Sequence, residues 1–196
     1  MAGVQTKETA KGRTTWNFDP AHTMVEFAVK HMMITTVKGR FAGVSGAIEL
    51  DENDLARSSV AVEIDAASLD TRVGQRDAHL RSADFLDVEN HPTLTFRSRR
   101  VEGSVKAPGD GFRLVGDLMI RGTTREVVLD ARYEGRGMDP WGGERVSFSA
   151  DVRIDRRDYG LTWNQAIEAG RVLVGNEVRI HIEVQAVKAG EDGEAA

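Results

Sequence analysis

The chain has 196 residues, with 26 Lys and Arg against 31 Asp and Glu for a net charge of −5, 20 glycines and no cysteine. That length suits one domain with a core of its own. The missing cysteines exclude disulfides, thiolate nucleophiles and cysteine-ligated metals; the acidic balance without a basic stripe argues against nucleic acid, and no apolar run approaches the ~20 residues of a membrane-spanning helix.

Residues 1–13 are small and polar and read as a disordered tail, as do residues 189–196. The first stretch has no apolar region of the ~7–15 residues that an export signal requires, which points to the cytoplasm. Between the tails, residues 14–188 read as one domain dominated by period two, the pattern that separates the two faces of a strand. Val25, Phe27 and Val29 alternate with Glu26 and Lys30. Residues 40–50 follow, with Phe41, Ile48 and Leu50 apolar, then Val60, Val62 and Ile64 against Glu63 and Asp65.

Residues 74–82 give the one convincing helix, with Gln75, Ala78, His79 and Ser82 on one side and Phe85 and Leu86 behind it. Strands resume with Leu94, Phe96 and Ser98; with Phe112, Leu114, Gly116, Leu118 and Ile120; and with Val127, Leu129, Ala131 and Tyr133. Val146, Phe148, Ala150, Val152 and Ile154 form the next, and Val178, Ile180, Ile182, Val184 and Ala186 the last. Residues 159–174 have no clean period and read as an irregular crossing over an end of the sheet. Eight strands joined by short, glycine-marked turns imply antiparallel neighbours, packed as a two-sheet sandwich or a closed barrel. A barrel of ~8 strands is either filled by side chains or wide enough for one small ligand. The inward mixture of Phe27, Phe96, Phe112 and Phe148 with Gly116, Ala131, Ala150 and Ala186 fits both.

Chemistry-bearing motifs are sparse. There is no G-x-S-x-G, phosphate loop or H-E-x-x-H, and Gly43-Val44-Ser45-Gly46 lacks the spacing of a nucleophile elbow. His22 and His31, at opposite ends of a strand, would lie ~30 Å apart and cannot share a metal. Asp19 and His22 read as turn or cap hydrogen-bonders and His79 as a polar contact on the helix face. His31 has the apolar parity of its strand, and is either a satisfied core histidine or a group that meets a ligand head. The runs Arg97, Arg99, Arg100 and Arg153, Arg156, Arg157 read as solvated strand faces. Met32 and Met33 are either packing residues or an adaptable apolar mouth. Trp141 and Trp163 either cover barrel ends or fill corners.

Together these residues form a recognisable order: Asp19-Pro20-Ala21-His22-Thr23, Val25-x-Phe27 with His31, Gly39-x-Phe41, Ser45-Gly46, Arg76-Asp77-x-His79-Leu80, Asp84-Phe85-Leu86, His91-Pro92-x-Leu94-x-Phe96-x-Ser98, Gly116-Asp117-Leu118-x-Ile120-x-Gly122-x-Thr124, Asp158-Tyr159-Gly160-Leu161 and Val174-Gly175-Asn176-Glu177-Val178. Over residues 16–186 this resembles the YceI-like family, with Thr23 where serine is commoner. The resemblance implies an all-β fold: an eight-stranded, antiparallel, extended lipocalin-like barrel with one or two short helices. It also implies a lumen that holds a long isoprenoid chain of polyisoprenoid or quinone type. Phe27, His31, Phe41, Phe85, Leu94, Phe96, Leu118, Ile120, Phe148 and Trp163 are the expected lumen contacts. Many relatives are exported, whereas this chain shows no export signal. The expectation is therefore a lipid carrier or sequestering protein without catalysis, metal or cofactor beyond the lipid, with no integral membrane segment and room for a homodimer through one face. Its rivals are an enzyme using His31 and a lumen carboxylate on a small lipophilic substrate, and a filled barrel that binds a partner on its outer face.

Overall fold

The computed structural model describes residues 12–167 and 171–190. In chain order the strands are β1 (Arg13–Phe18), β2 (Met24–His31), β3 (Thr35–Phe41), β4 (Val44–Asp51), β5 (Ser59–Asp65), β6 (Leu69–Asp70), β7 (Thr93–Glu102), β8 (Gly111–Ile120), β9 (Thr123–Met138), β10 (Glu144–Asp155), β11 (Ala166–Ile167), β12 (Arg171–Val172) and β13 (Val174–Lys188). The α-helix, α1, is Gly74–Arg81, one residue shorter than the sequence pattern predicts.

The ring runs β1-β4-β5-β7-β8-β9-β10-β13 and closes where β1 pairs with β13, Phe18 opposite Ala186. Every pairing is antiparallel, and the closure of one sheet on itself excludes the sandwich. β2 continues the wall begun by β1 and pairs with the other end of β13, while β3 pairs with β2 as β4 does with β1. Thus β1–β2 and β3–β4 are two long bent strands, and eight walls result. The first bend is the 3₁₀ turn Pro20–His22, capped by Asp19, whose side chain accepts from the Ala21 N–H. The second is at Ala42-Gly43, so residues 40–50 form two strand segments rather than the one predicted. β13, at ~3.3 Å per residue over 15 residues, is long enough to span the whole barrel.

One end is sealed. Trp16 is fully buried there, its indole N–H donating to Thr14 Oγ1 at 2.8 Å, and Arg136 and Lys188 lie over its ring at 4.9 and 5.9 Å. Around it Arg136 pairs with Glu52 and Glu144, and Lys188 with Glu144. Arg13 and Ala189, expected in the tails, belong to this end: Arg13 lies opposite Asp51, and the Ala189 N–H donates to the Thr15 carbonyl. Backbone pairing holds them where composition alone reads as loose. Residues 1–11 and 191–196 of the two tails fall outside the described residues.

Three inward glycines keep the interior from filling. A Cβ at Gly39 would sit 2.3 Å from the Phe27 ring, at Gly46 2.8 Å from Phe18 and at Gly116 2.6 Å from Phe96. Each ring therefore lies against a glycine of the wall, in space that a side chain there would take. Of the two readings of the inward residues, a lumen left partly open and a core filled by small residues opposite large ones, the structure has the open lumen.

Candidate functional site: an apolar lumen open at one end

The wall encloses a cavity of about 860 Å³, inside the ~300–1,000 Å³ range of small-molecule sites. All ten residues expected to contact a ligand line it. Phe41, Phe85, Leu94, Phe96, Leu118 and Ile120 are buried, while Phe27, Phe148 and Trp163 keep part of their surface accessible, as the wall of a hollow lumen must. Phe112 meets Phe148 edge-on at 6.1 Å between centroids, and Tyr133 tilts against the same ring at 5.6 Å.

The mouth lies at the end away from Trp16, among the β2–β3 hairpin, the start of α1 and residues 161–167 and 171–174. Val73 and Gln75 line the lumen and are also exposed to solvent, so the cavity reaches the surface between them and His31. His31 is half-buried at this rim, at the end of β2 opposite Thr35. That location separates it from the closed core expected of a satisfied core histidine.

α1 is pinned over the mouth by polar bonds rather than by an apolar stripe. Buried Asp77 accepts from both the backbone N–H and the hydroxyl of Thr71, and Arg76 donates to the Thr71 hydroxyl and carbonyl. Arg81 donates to the carbonyls of Ala67 and Leu69. His79 bonds Asp84 at 2.8 Å and packs edge-on against Phe85 and Trp163, with centroids at 5.0 and 4.7 Å. Trp163 thus covers this end, whereas Trp141, 86% exposed in the β9–β10 turn, neither covers an end nor fills a corner.

Arg156 corrects the reading of its arginine run as a solvated face. It is 4% exposed and lines the lumen from the 3₁₀ turn Arg156–Tyr159. Its guanidinium donates to the carbonyls of Gly175, Leu161, Trp163 and Val174 and to Asn176 Oδ1. Burial pushes its pKa down, against the opposing charge of Asp155. Arg156 shares the parity of inward Val152 and Ile154, and grouping it with Arg153 and Arg157 hid that. Arg99 and Arg100, by contrast, are exposed and paired with Asp117 and Glu102.

Tyr159, at the other end of that turn, is the second residue the sequence pattern passed over. The β9–β10 register ends at Asp130 opposite Asp151, although both strands run on. Tyr159 packs beside the gap, lining both the lumen and the outer cleft. Its hydroxyl is buried without a partner, and desolvation raises its pKa to about 12. The Asp-Tyr-Gly-Leu motif marked this position but not its burial.

Asp19 and His22 have the structural role expected of them: His22 Nδ1 lies 2.8 Å from Asp19 Oδ2, and Arg145 also bonds that oxygen. Those two partners, Arg145 first, hold the Asp19 pKa at about 2. Among the described residues no three His, Asp or Glu side chains converge as a metal site, and no helix is long and apolar enough to cross a membrane.

The family model of the YceI-like domain matches residues 16–186. The chain belongs to the YceI-like family. It is 37% identical over 168 residues to a UPF0312 protein of Serratia proteamaculans, covering 86% of this chain and 82% of that one. A crystal structure of the YCEI protein of Campylobacter jejuni, 30% identical, superposes with a TM-score of 0.68 over 82% of this chain and 90% of that one. A polyisoprenoid binding domain from Saccharophagus degradans shares the fold at a TM-score of 0.67 and 14% identity, over 90% and 99% of the two chains. The resemblance carried by the sequence motifs and the lipocalin-like barrel are both shown. The YceI-like wall is here a closed antiparallel ring of eight, with one α-helix at the mouth.

Proposed function

We propose that this YceI-like protein encloses a long apolar isoprenoid chain, of polyisoprenoid or quinone type, in its lumen for carriage or sequestration. The observation that carries the reading is the continuous apolar lumen of about 860 Å³, lined by phenylalanine, leucine, isoleucine and valine and closed behind by Trp16. Each buried CH₂ contributes about 0.8 kcal/mol, so a few isoprene units supply affinity without a charged contact. The Saccharophagus domain is described as polyisoprenoid binding, which agrees with this reading. The polar groups at the mouth mostly hold one another, as Arg76 does Thr71 and His79 does Asp84, which favours binding over catalysis.

Native mass spectrometry of the purified protein, followed by mass analysis of its organic extract, tests the proposal. An adduct that releases an isoprenoid species is the expected result. Protein that stays free of adduct after incubation with a prenyl quinone would overturn it. Turnover of a lipophilic ester, lost in His31→Ala while uptake persists, would favour the enzyme.

A further inference from the structure

The β2–β3 hairpin turns through Met32 and Met33, both in the left-handed region at φ 53° and 60°, with the Ile34 N–H donating to the His31 carbonyl at 3.0 Å. This is the pattern of a type I′ turn, whose two central positions favour Asn-Gly. A side chain held there is strained by the approach of its Cβ to the following carbonyl. Both methionines keep surface in solvent: Met32 is 36% exposed and Met33 58%, Ile34 beside them 66%, and Val73 and Val172 add exposed apolar surface. Folding gains little from the exposed Met33 and Ile34 in that conformation.

The tip also departs from the molecule in charge. Residues 28–48 contain Lys30, Lys38 and Arg40 and no acid, in a chain of net charge −5. Arg40 faces Asp70 at 3.7 Å, but neither Lys30 nor Lys38, both exposed, enters an ion pair among the described residues. Lys30 stands opposite Thr36 and Lys38 opposite Ala28, which places both on the outer face of the hairpin behind the tip. Exposed Arg72 adjoins Val73. The Met32 N–H donates to the Leu173 carbonyl at the lumen rim, so the tip is tied to the mouth.

We infer that the Met32–Ile34 tip is a membrane-docking element that inserts into the interface of a bilayer carrying anionic phospholipid headgroups. Methionine and isoleucine enter the acyl boundary while Lys30, Lys38 and Arg72 meet the phosphates. Docking there sets the mouth against the bilayer, so an apolar chain passes into the lumen without crossing water. That consequence rests on the proposed function; the docking itself does not.

Cosedimentation with phosphatidylcholine vesicles containing phosphatidylglycerol, and with pure phosphatidylcholine vesicles, at low and high salt, provides the test. The chain is expected to bind the anionic vesicles at low salt and to be released by high salt. Met32→Asn with Met33→Gly suits the turn better, so its unfolding midpoint is expected to rise while vesicle binding weakens about tenfold or more. Lys30→Glu with Lys38→Glu is expected to weaken it at least about tenfold and to abolish the preference for anionic vesicles. Wild-type protein that does not bind anionic vesicles at low salt, or an Asn-Gly variant that binds them as wild type does, would overturn the inference. Loading a prenyl quinone from detergent micelles separates the two readings. Failure of wild type to load would sink the lumen proposal and leave the vesicle result standing.

Discussion

Tyr159 carries the one buried side-chain polar atom, among the described residues, that lacks a hydrogen-bond partner. A buried hydroxyl left unpaired costs about 1–3 kcal/mol, so Tyr159→Phe is expected to stabilise the barrel by about 1 kcal/mol, read as a higher urea midpoint. A lower midpoint would mean that the hydroxyl has a partner. Charge acts in the opposite direction at Asp19 and Glu144, whose pKa values are held at about 2, by Arg145 and then His22, and by Arg136 and then Lys188. Both folded-state values lie below the unfolded ones near 3.8 and 4.5, so the unfolded state binds more protons as the pH falls. Their contribution is present above about pH 4.5 and lost toward pH 2. Urea midpoints across that window should fall more steeply in wild type than in Arg145→Gln or Arg136→Gln; equal slopes would contradict these pairs as the cause.

At the scale of elements, the mouth is assembled by side-chain bonds to backbone. Arg156 joins its own turn to residues 161–163 and to the start of β13 through four carbonyls. A lysine offers a single ammonium where the fork was shared. Arg156→Lys is therefore expected to cost about 3 kcal/mol, because several buried acceptors lose their donor at once. Hydrogen exchange would show the loss concentrated in residues 156–163 and the start of β13. Protection unchanged there would show that Arg156 is not the tie. α1 has the same logic: Asp77 bonds Thr71 across the helix start, and no clean apolar face draws the helix down.

For the whole molecule, the property that matters is emptiness. A ring of eight strands is just wide enough to fill with side chains, and here aromatics seated against Gly39, Gly46 and Gly116 leave space instead. Enlarging one lining residue should then exclude ligand without undoing the ring. Phe96→Trp is expected to lower the bound fraction of a prenyl quinone severalfold, with the strand signal in circular dichroism unchanged. Equal occupancy in a folded variant would place the ligand elsewhere.

The eight walls were legible because an antiparallel strand with one wet face writes its burial directly as period two. Phe27, Phe96, Leu118 and Phe148 fell on the lumen for that reason, and the ordered motifs named the family. Trp16 and Phe18 of β1 were not singled out, because six residues between a polar tail and a turn give too few alternations to read. Arg156 was misread because it was grouped with the solvated Arg153 and Arg157, although it shares the parity of inward Val152 and Ile154. Closure, an open lumen rather than a filled one, and the joining of His31, Val73 and Leu173 in one rim depend on contacts between residues far apart in the chain. Local pattern specifies which face of a strand is dry; whether the space between dry faces stays empty is decided only when the ring closes and each ring meets its glycine.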